Sequence, residues 1–212
     1  MKQIPLLLPT SYFPPIRWMA HYLQSQQIWI ENWETYPKQT IRNRCYILTP
    51  AGVAHLTVPV VKTQGNHSLT CQIGIFYEDG WPRKHWRTLY SAYNKSPFFQ
   101  YYRHHFEQFF ETRFSTLIEL NEAAIILILR LLKHNLKHQP SSHWQTDWPD
   151  ISDMRFNFQP KPFGFEDFFP EYQQVFSDRQ AFVSNLSVLD LIFNLGPEAS
   201  QYLKNLNLRH SG

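Results

Sequence analysis

Glycine is scarce in this 212-residue chain: there are seven, where average usage would give about 15. Little material is left for backbone that must approach a phosphate closely, and no GxGxxG, GxxxxGK[ST] or GxSxG occurs. Dinucleotide-fingerprint, P-loop and nucleophile-elbow enzymes are thereby set aside. Charged residues are also sparse, at 17% against a usual ~25%, while apolar residues reach 43% and aromatic ones 17%. That composition excludes a disordered chain and a charge-laced coiled coil, and points to an aromatic-rich globule. Only two cysteines are present, Cys45 and Cys71, without CxxC spacing. The opening residues Met1 to Pro5 show no charged-then-apolar leader, so a reduced thiol pair in a cytoplasmic protein is expected. The longest apolar run, Ala123 to Leu129, is closed by Arg130 and falls far short of the ~20 residues that span a bilayer. The ten histidines include neither an HExxH nor a Cys/His ligand pair, so no metal and no cofactor is expected.

What is present is an uneven charge. The net +3 hides a front half, residues 1–106, with 11 Lys/Arg against 4 Asp/Glu, and a back half with 9 against 13. A basic surface speaks of partners rather than of fold. Basic grooves with stacking aromatics suit single-stranded nucleic acid, but no known motif occurs and the overall charge is modest, which argues against that partner.

The periodicities predict an α/β or α+β fold with a mixed sheet in a single compact domain. Ile4 to Leu8 reads as a strand. Pro14-Pro15 opens a helix with Ile16, Met19, Ala20 and Leu23 inward, and Ile28-Trp29-Ile30 completes an N-terminal βαβ unit with a parallel crossover. A β-hairpin is predicted from Tyr46-Ile47-Leu48 and Leu56 to Val61, turning at Thr49-Pro50-Ala51-Gly52, with Pro59 marking an edge. Cys71 to Phe76 reads as a further strand. From Pro82 the period becomes helical, with Trp86, Leu89 and Tyr93 on one face and Arg83, Lys84 and Arg87 on another. A second helix follows Ser96-Pro97 with Phe98, Tyr102, Phe106, Phe109 and Phe110 inward, and residues 116–133 form a central helix apolar nearly all round. The helical C-terminal half packs on the sheet. Within 1–212 the parts are a sheet-rich basic stretch (1–80), helices (81–133), a Pro-rich loop or arm (134–170) expected to be a lid, a wrapping arm or partly disordered, and C-terminal helices (171–212).

Three polar features carry chemistry. Arg42 and Arg44 flank Asn43, and entering a strand they point to one side as a fork for phosphate or carboxylate, with Lys38 nearby. An alternative is a solvated edge with loose surface pairs. The run Arg83-Lys84-His85-Trp86-Arg87 offers His85, whose ordinary pKa lies near neutrality. Asp190, between Leu189 and Leu191, either faces water or meets a cation.

The strings Ser11-Tyr12-Phe13-Pro14-Pro15, Tyr36 to Cys45, Leu56-Thr57-Val58-Pro59-Val60, His85-Trp86-Arg87, Ser91 to Phe99 and Asn185 to Pro197 together resemble the WbqC-like protein family, over nearly the whole chain. Some members lie among genes for surface polysaccharide synthesis. The resemblance implies a role in placing a glycyl or related acyl group on amino sugars. It carries over Tyr12, Lys38, Arg42, Asn43, Arg44 and His85 as pocket residues, with Asp190 and Asn194. One departure is Arg17-Trp18-Met19, where many members have an aromatic-Gly step; larger side chains there fill room a ligand would use.

Two functions follow as expectations. In the first, the chain is a cytoplasmic acyl or aminoacyl transferase on amino-sugar, nucleotide-linked substrates. Tyr12, Lys38, Arg42, Asn43, Arg44 and Asn194 bind the small anionic or nucleotide-linked substrate; His85 takes the proton from the attacking amine, and Asp190 completes the catalytic pair. In the second, it is a non-catalytic binding or scaffold protein whose basic half docks an acidic partner and whose aromatic helices supply a homodimer surface.

Overall fold

The sheet is built on the most apolar segment of the N-terminus. The structure, a computed structural model, describes residues 4–135, 137–158 and 169–208. Strand β1 (Leu6–Pro9) is buried throughout, as a strand covered on both faces must be. Helix α1 (Ile16–Gln24) follows Pro15, which is preset for a first helical turn, and leads to β2 (Ile28–Glu31), parallel to β1 with Leu6 opposite Ile28. The expected βαβ unit is therefore present. The helix is buried on more than the four-residue face its spacing predicts, since Arg17, Trp18, His21 and Tyr22 are enclosed as well.

The hairpin forms from β3 (Arg44–Thr49) and β4 (Gly52–Thr57), paired Arg44 to Thr57 through Thr49 to Gly52. Its turn places Gly52 at φ +103°, a value glycine adopts without strain. Pro59 ends the ladder, and Val60–Val61 restarts as β5 against β6 (Gly74–Ile75). The strand expected over Cys71 to Phe76 is thus only two residues long; a 3₁₀ turn, Thr70–Gln72, takes its front.

Helix α2 (Trp81–Tyr93) starts beyond Gly80, at φ +66°, with Pro82 in its first turn. It buries Trp81, His85, Leu89, Ala92 and Tyr93, so its inner face is rotated from the predicted one and Trp86 lies at the edge. Helix α3 (Phe99–Glu111) buries Phe99, Phe106, Phe109 and Phe110. Helix α4 (Leu117–Leu131) opens with a capping box: Thr116 accepts from the Glu119 N–H and Glu119 accepts from the Thr116 N–H. It is buried on several sides, as its composition predicts.

Over its described part the Pro-rich segment joins the parallel sheet. It supplies β7 (Gln139–Pro140), parallel to β2, and β8 (Ser152–Asp153), parallel to β1, giving the order β7-β2-β1-β8. Leu136 and residues 159–168 of that predicted arm lie outside the described residues. Helices α5 (Val188–Leu195) and α6 (Ala199–Asn205) close the chain, with α6 against α1 and α5 against α3. One apolar cluster runs from Leu6 to Leu206, so sheet and helices share a single core in a single compact domain. Among the described residues no helix is long and apolar enough to cross a membrane.

Candidate functional site

All four parallel strands point their carboxyl ends the same way, the edge at which open α/β sheets bind ligands. Each strand delivers a polar group there. After β1 comes Thr10, whose hydroxyl accepts from Asn121 of α4 at 3.1 Å. Strand β2 ends on Glu31, fully buried, with Glu34 three residues on. Ser141 follows β7 and donates to Glu31 at 3.0 Å. Arg155 follows β8 and is among the largest fully buried side chains.

A buried charge survives only when paired and hydrogen-bonded, and this cluster meets the condition. The Arg155 guanidinium donates to Glu31 at 3.1 Å, to Asp153 at 2.6 Å and to the carbonyls of Gln145 and Thr146. Burial works against its charge, but Asp153 and Glu31 outweigh that and raise its pKa. Arg42 grips Glu34 with two nitrogens, Nη2 donating at 2.7 Å, and uses the third on the Thr40 hydroxyl. Burial lifts the Glu34 carboxyl above its ordinary range, against the pull of Arg42.

Over this floor lies a cavity of about 430 Å³. Glu34, Arg42 and Arg155 line its base, Lys38 stands exposed in its wall, and Trp144, Phe156 and Phe158 supply aromatic surface. The Trp144 ring is held 4.4 Å from the Arg155 guanidinium. Behind Phe158 stands Arg17, which donates to the Asn157 carbonyl at 3.1 Å and lies 5.6 Å from the Phe158 ring. Arg17 therefore supports a wall of this cavity.

Of the residues singled out in the sequence, Lys38 and Arg42 line the cavity. The others lie elsewhere. Arg42 precedes β3, in a turn, so strand alternation does not align it with Arg44. The latter donates instead across the hairpin to Thr57 at 3.0 Å. Asn43 closes the hairpin end on the Val58 carbonyl at 2.9 Å. His85 and Tyr12 meet in the core, Tyr12 Oη lying 3.0 Å from Nδ1. Burial pushes the His85 pKa down to about 4, against a bond to the Thr57 backbone that favours the charged form. Asp190 is fully buried, and among the described residues it forms no ion pair. It accepts from Tyr93 at 2.8 Å, Tyr172 at 2.7 Å and Gln174 at 3.0 Å, and burial still raises its pKa. Asn194 donates to the Asp190 carbonyl, a bond within α5.

Sequence reasoning missed Glu31, Glu34, Trp144 and Arg155. The first two carried a signal: the front half has four acids, and two of them sit at the end of the second strand of a βαβ unit. Arg155 carried none, because its segment has no period. Both cysteines are free, and burial pushes the Cys45 thiol well up. Among the described residues no three His, Cys, Asp or Glu side chains are grouped to hold a metal.

The profile of the WbqC-like protein family matches residues 10–153 and 150–202. The chain belongs to the WbqC-like protein family. Comparison with curated proteins and with solved structures gives no match. In this WbqC-like chain the matched residues include strands β2, β7 and β8 and the floor residues Glu34, Arg42 and Arg155, while β1 lies just before the match.

Proposed function

We propose that this WbqC-like protein is a cytoplasmic transferase that binds an amino sugar carried on a nucleotide or similar anion in the carboxyl-edge cavity and acylates its amine, in the assembly of surface polysaccharide. The observation that carries the reading is the setting of Glu34, a buried carboxylate facing a cavity that also holds aromatic surface and an exposed lysine. Aromatic walls suit the apolar face of a sugar ring, and Lys38 suits a phosphate as a point charge. The amine attacks the carbonyl of an activated acyl donor. A C–N bond forms, the bond to the donor's leaving group breaks, and the amine proton passes to Glu34. A carboxyl lifted toward neutrality is suited to that step. The base role moves here from His85, which does not line the cavity.

A second reading, a non-catalytic binding protein, is favoured by one feature. Both arginines of the floor are committed to internal carboxylates, as in a rigid recognition surface. Mass-spectrometric assay of acyl transfer to a nucleotide-linked amino sugar separates the two. The transferase reading expects turnover that falls at least about a hundredfold in a folded Glu34→Gln protein, and a KM raised about tenfold in Lys38→Ala. Saturable binding without any turnover would hand the site to the second reading.

A further inference from the structure

Helix α2 distributes the basic run Arg83-Lys84-His85-Trp86-Arg87 around its circumference. His85 turns inward, Lys84 reaches Asp79 at 3.8 Å, and Arg87 faces a groove with Thr49 and Pro50. Arg83 and Trp86, three apart and so on one side of the helix, face a second cavity of about 420 Å³ between the start of α2 and the end of α3. It shares no lining residue with the carboxyl-edge cavity.

Its walls are aromatic and fixed. Trp86 stacks on Phe99 at 5.8 Å and 14° and leans on Phe110 at 6.2 Å. Tyr77 is anchored through its hydroxyl, which donates to the Phe114 carbonyl at 3.2 Å and accepts from the Phe114 N–H at 3.0 Å. Arg113 lies 4.9 Å from the Tyr77 ring and lines the cavity together with Arg83. Both arginines are exposed, and among the described residues neither makes an ion pair, unlike Arg42 and Arg155. Of the two acids in the lining, Glu107 is already taken by Arg103 at 2.8 Å, which leaves Glu111 alone against two guanidiniums without an ion pair.

An aromatic slot with spare guanidiniums at its rim matches a planar ring that carries an anionic group. We infer that this cavity is a second ligand site, for a heteroaromatic or aromatic ring bearing a phosphate or carboxylate, with the ring between Trp86, Phe110 and Tyr77 and the anion on Arg83 and Arg113. The volume lies in the range of small-molecule sites. A mononucleotide and an aromatic acid share this chemistry.

Calorimetric titration of the full chain with AMP, UMP and 4-hydroxybenzoate, and with adenosine and uridine as ring-only controls, tests the assignment. The expected result is one-site binding of a nucleotide or of the aromatic acid, which names the source. Arg83→Ala and Arg113→Ala, both at exposed positions without an ion pair, each weaken it about tenfold, while Lys38→Ala leaves it unchanged. No saturable binding of any of the three anionic probes at millimolar concentration overturns the inference. So does binding indifferent to both arginine variants, nucleoside binding as tight as that of its nucleotide, or binding lost in Lys38→Ala, which would put the ligand in the other cavity.

Discussion

His85 is the side chain whose chemistry stands out most in the sequence and whose position is least like that of a surface base. Its imidazole is buried against Tyr12, Trp81 and Phe110 and takes a proton only near pH 4. The unfolded chain takes up that proton near pH 6.5, so the stability present above that value is lost progressively between about pH 6.5 and 4, by up to about 3 kcal/mol. Glu34 and Asp190 have the opposite sign: their carboxyls are raised by burial, so their contribution grows as the pH falls. Subtracting the unfolding free energy of a His85→Gln protein from that of the wild type isolates the imidazole. That difference is expected to shrink by about 3 kcal/mol from pH 7 to pH 4 in denaturant titrations, and a pH-independent difference would contradict a neutral buried His85. The sequence shows that a histidine stands next to a tryptophan, and neighbours on a helix diverge by about 100°. Which of the two faces inward depends on where the rest of the core lies, which no local pattern states.

At the scale of elements, legibility follows period. The second strand of the hairpin lies at Gly52–Thr57 and not over Leu56 to Val61. Its first strand and turn, and helix α4, are readable because an apolar run, a Pro-Gly turn and an all-round apolar stretch register locally. Strands β7 and β8 are not, because Gln139–Pro140 and Ser152–Asp153 are two residues each and carry no apolar residue besides a proline. They exist because β1 and β2 leave edges that must be paired, and with them the sequence hides half of the strand ends that build the site. The α5 to α6 junction is more explicit. Gly196 lies at φ +55°, and a Cβ there would sit 2.4 Å from the Phe98 ring, where α3 begins. Gly196→Ala therefore strains the backbone and displaces an aromatic ring. A loss of about 2 kcal/mol is expected, read as a melting point lower by about 4–8 °C in a chain of this length. A melting point within about a degree of wild type would mean that Phe98 swings aside without consequence.

Over the whole molecule, the split between a basic front and an acidic back acquires a structural meaning. Two of the front half's four acids, Glu31 and Glu34, are spent inside the carboxyl-edge cluster, one on Arg42 and one on Arg155 from the back half. Outside the cluster the front half keeps only Glu78 and Asp79, but Arg17 and Arg42 are buried as well, so burial removes as many cations as acids from its surface and the basic excess stays. The two compact basic runs legible in the sequence end at two different cavities: 38–44 contributes Lys38 and Arg42 to one, 83–87 contributes Arg83 and Trp86 to the other. Residue types alone group them into a single anion site, because spacing along the chain says nothing about which elements enclose each run. The central claim is that the carboxyl-edge cavity is where substrate binds. The most direct measurement is the melting point of the full chain with nucleotide-linked amino sugars, beside Lys38→Ala and Trp144→Ala. A ligand at about 100 times its Kd should raise the wild-type midpoint by about 5–10 °C and raise that of each variant, if bound about tenfold more weakly, by about half as much. An equal rise in all three proteins, or no rise in the wild type with any such sugar, would contradict the claim.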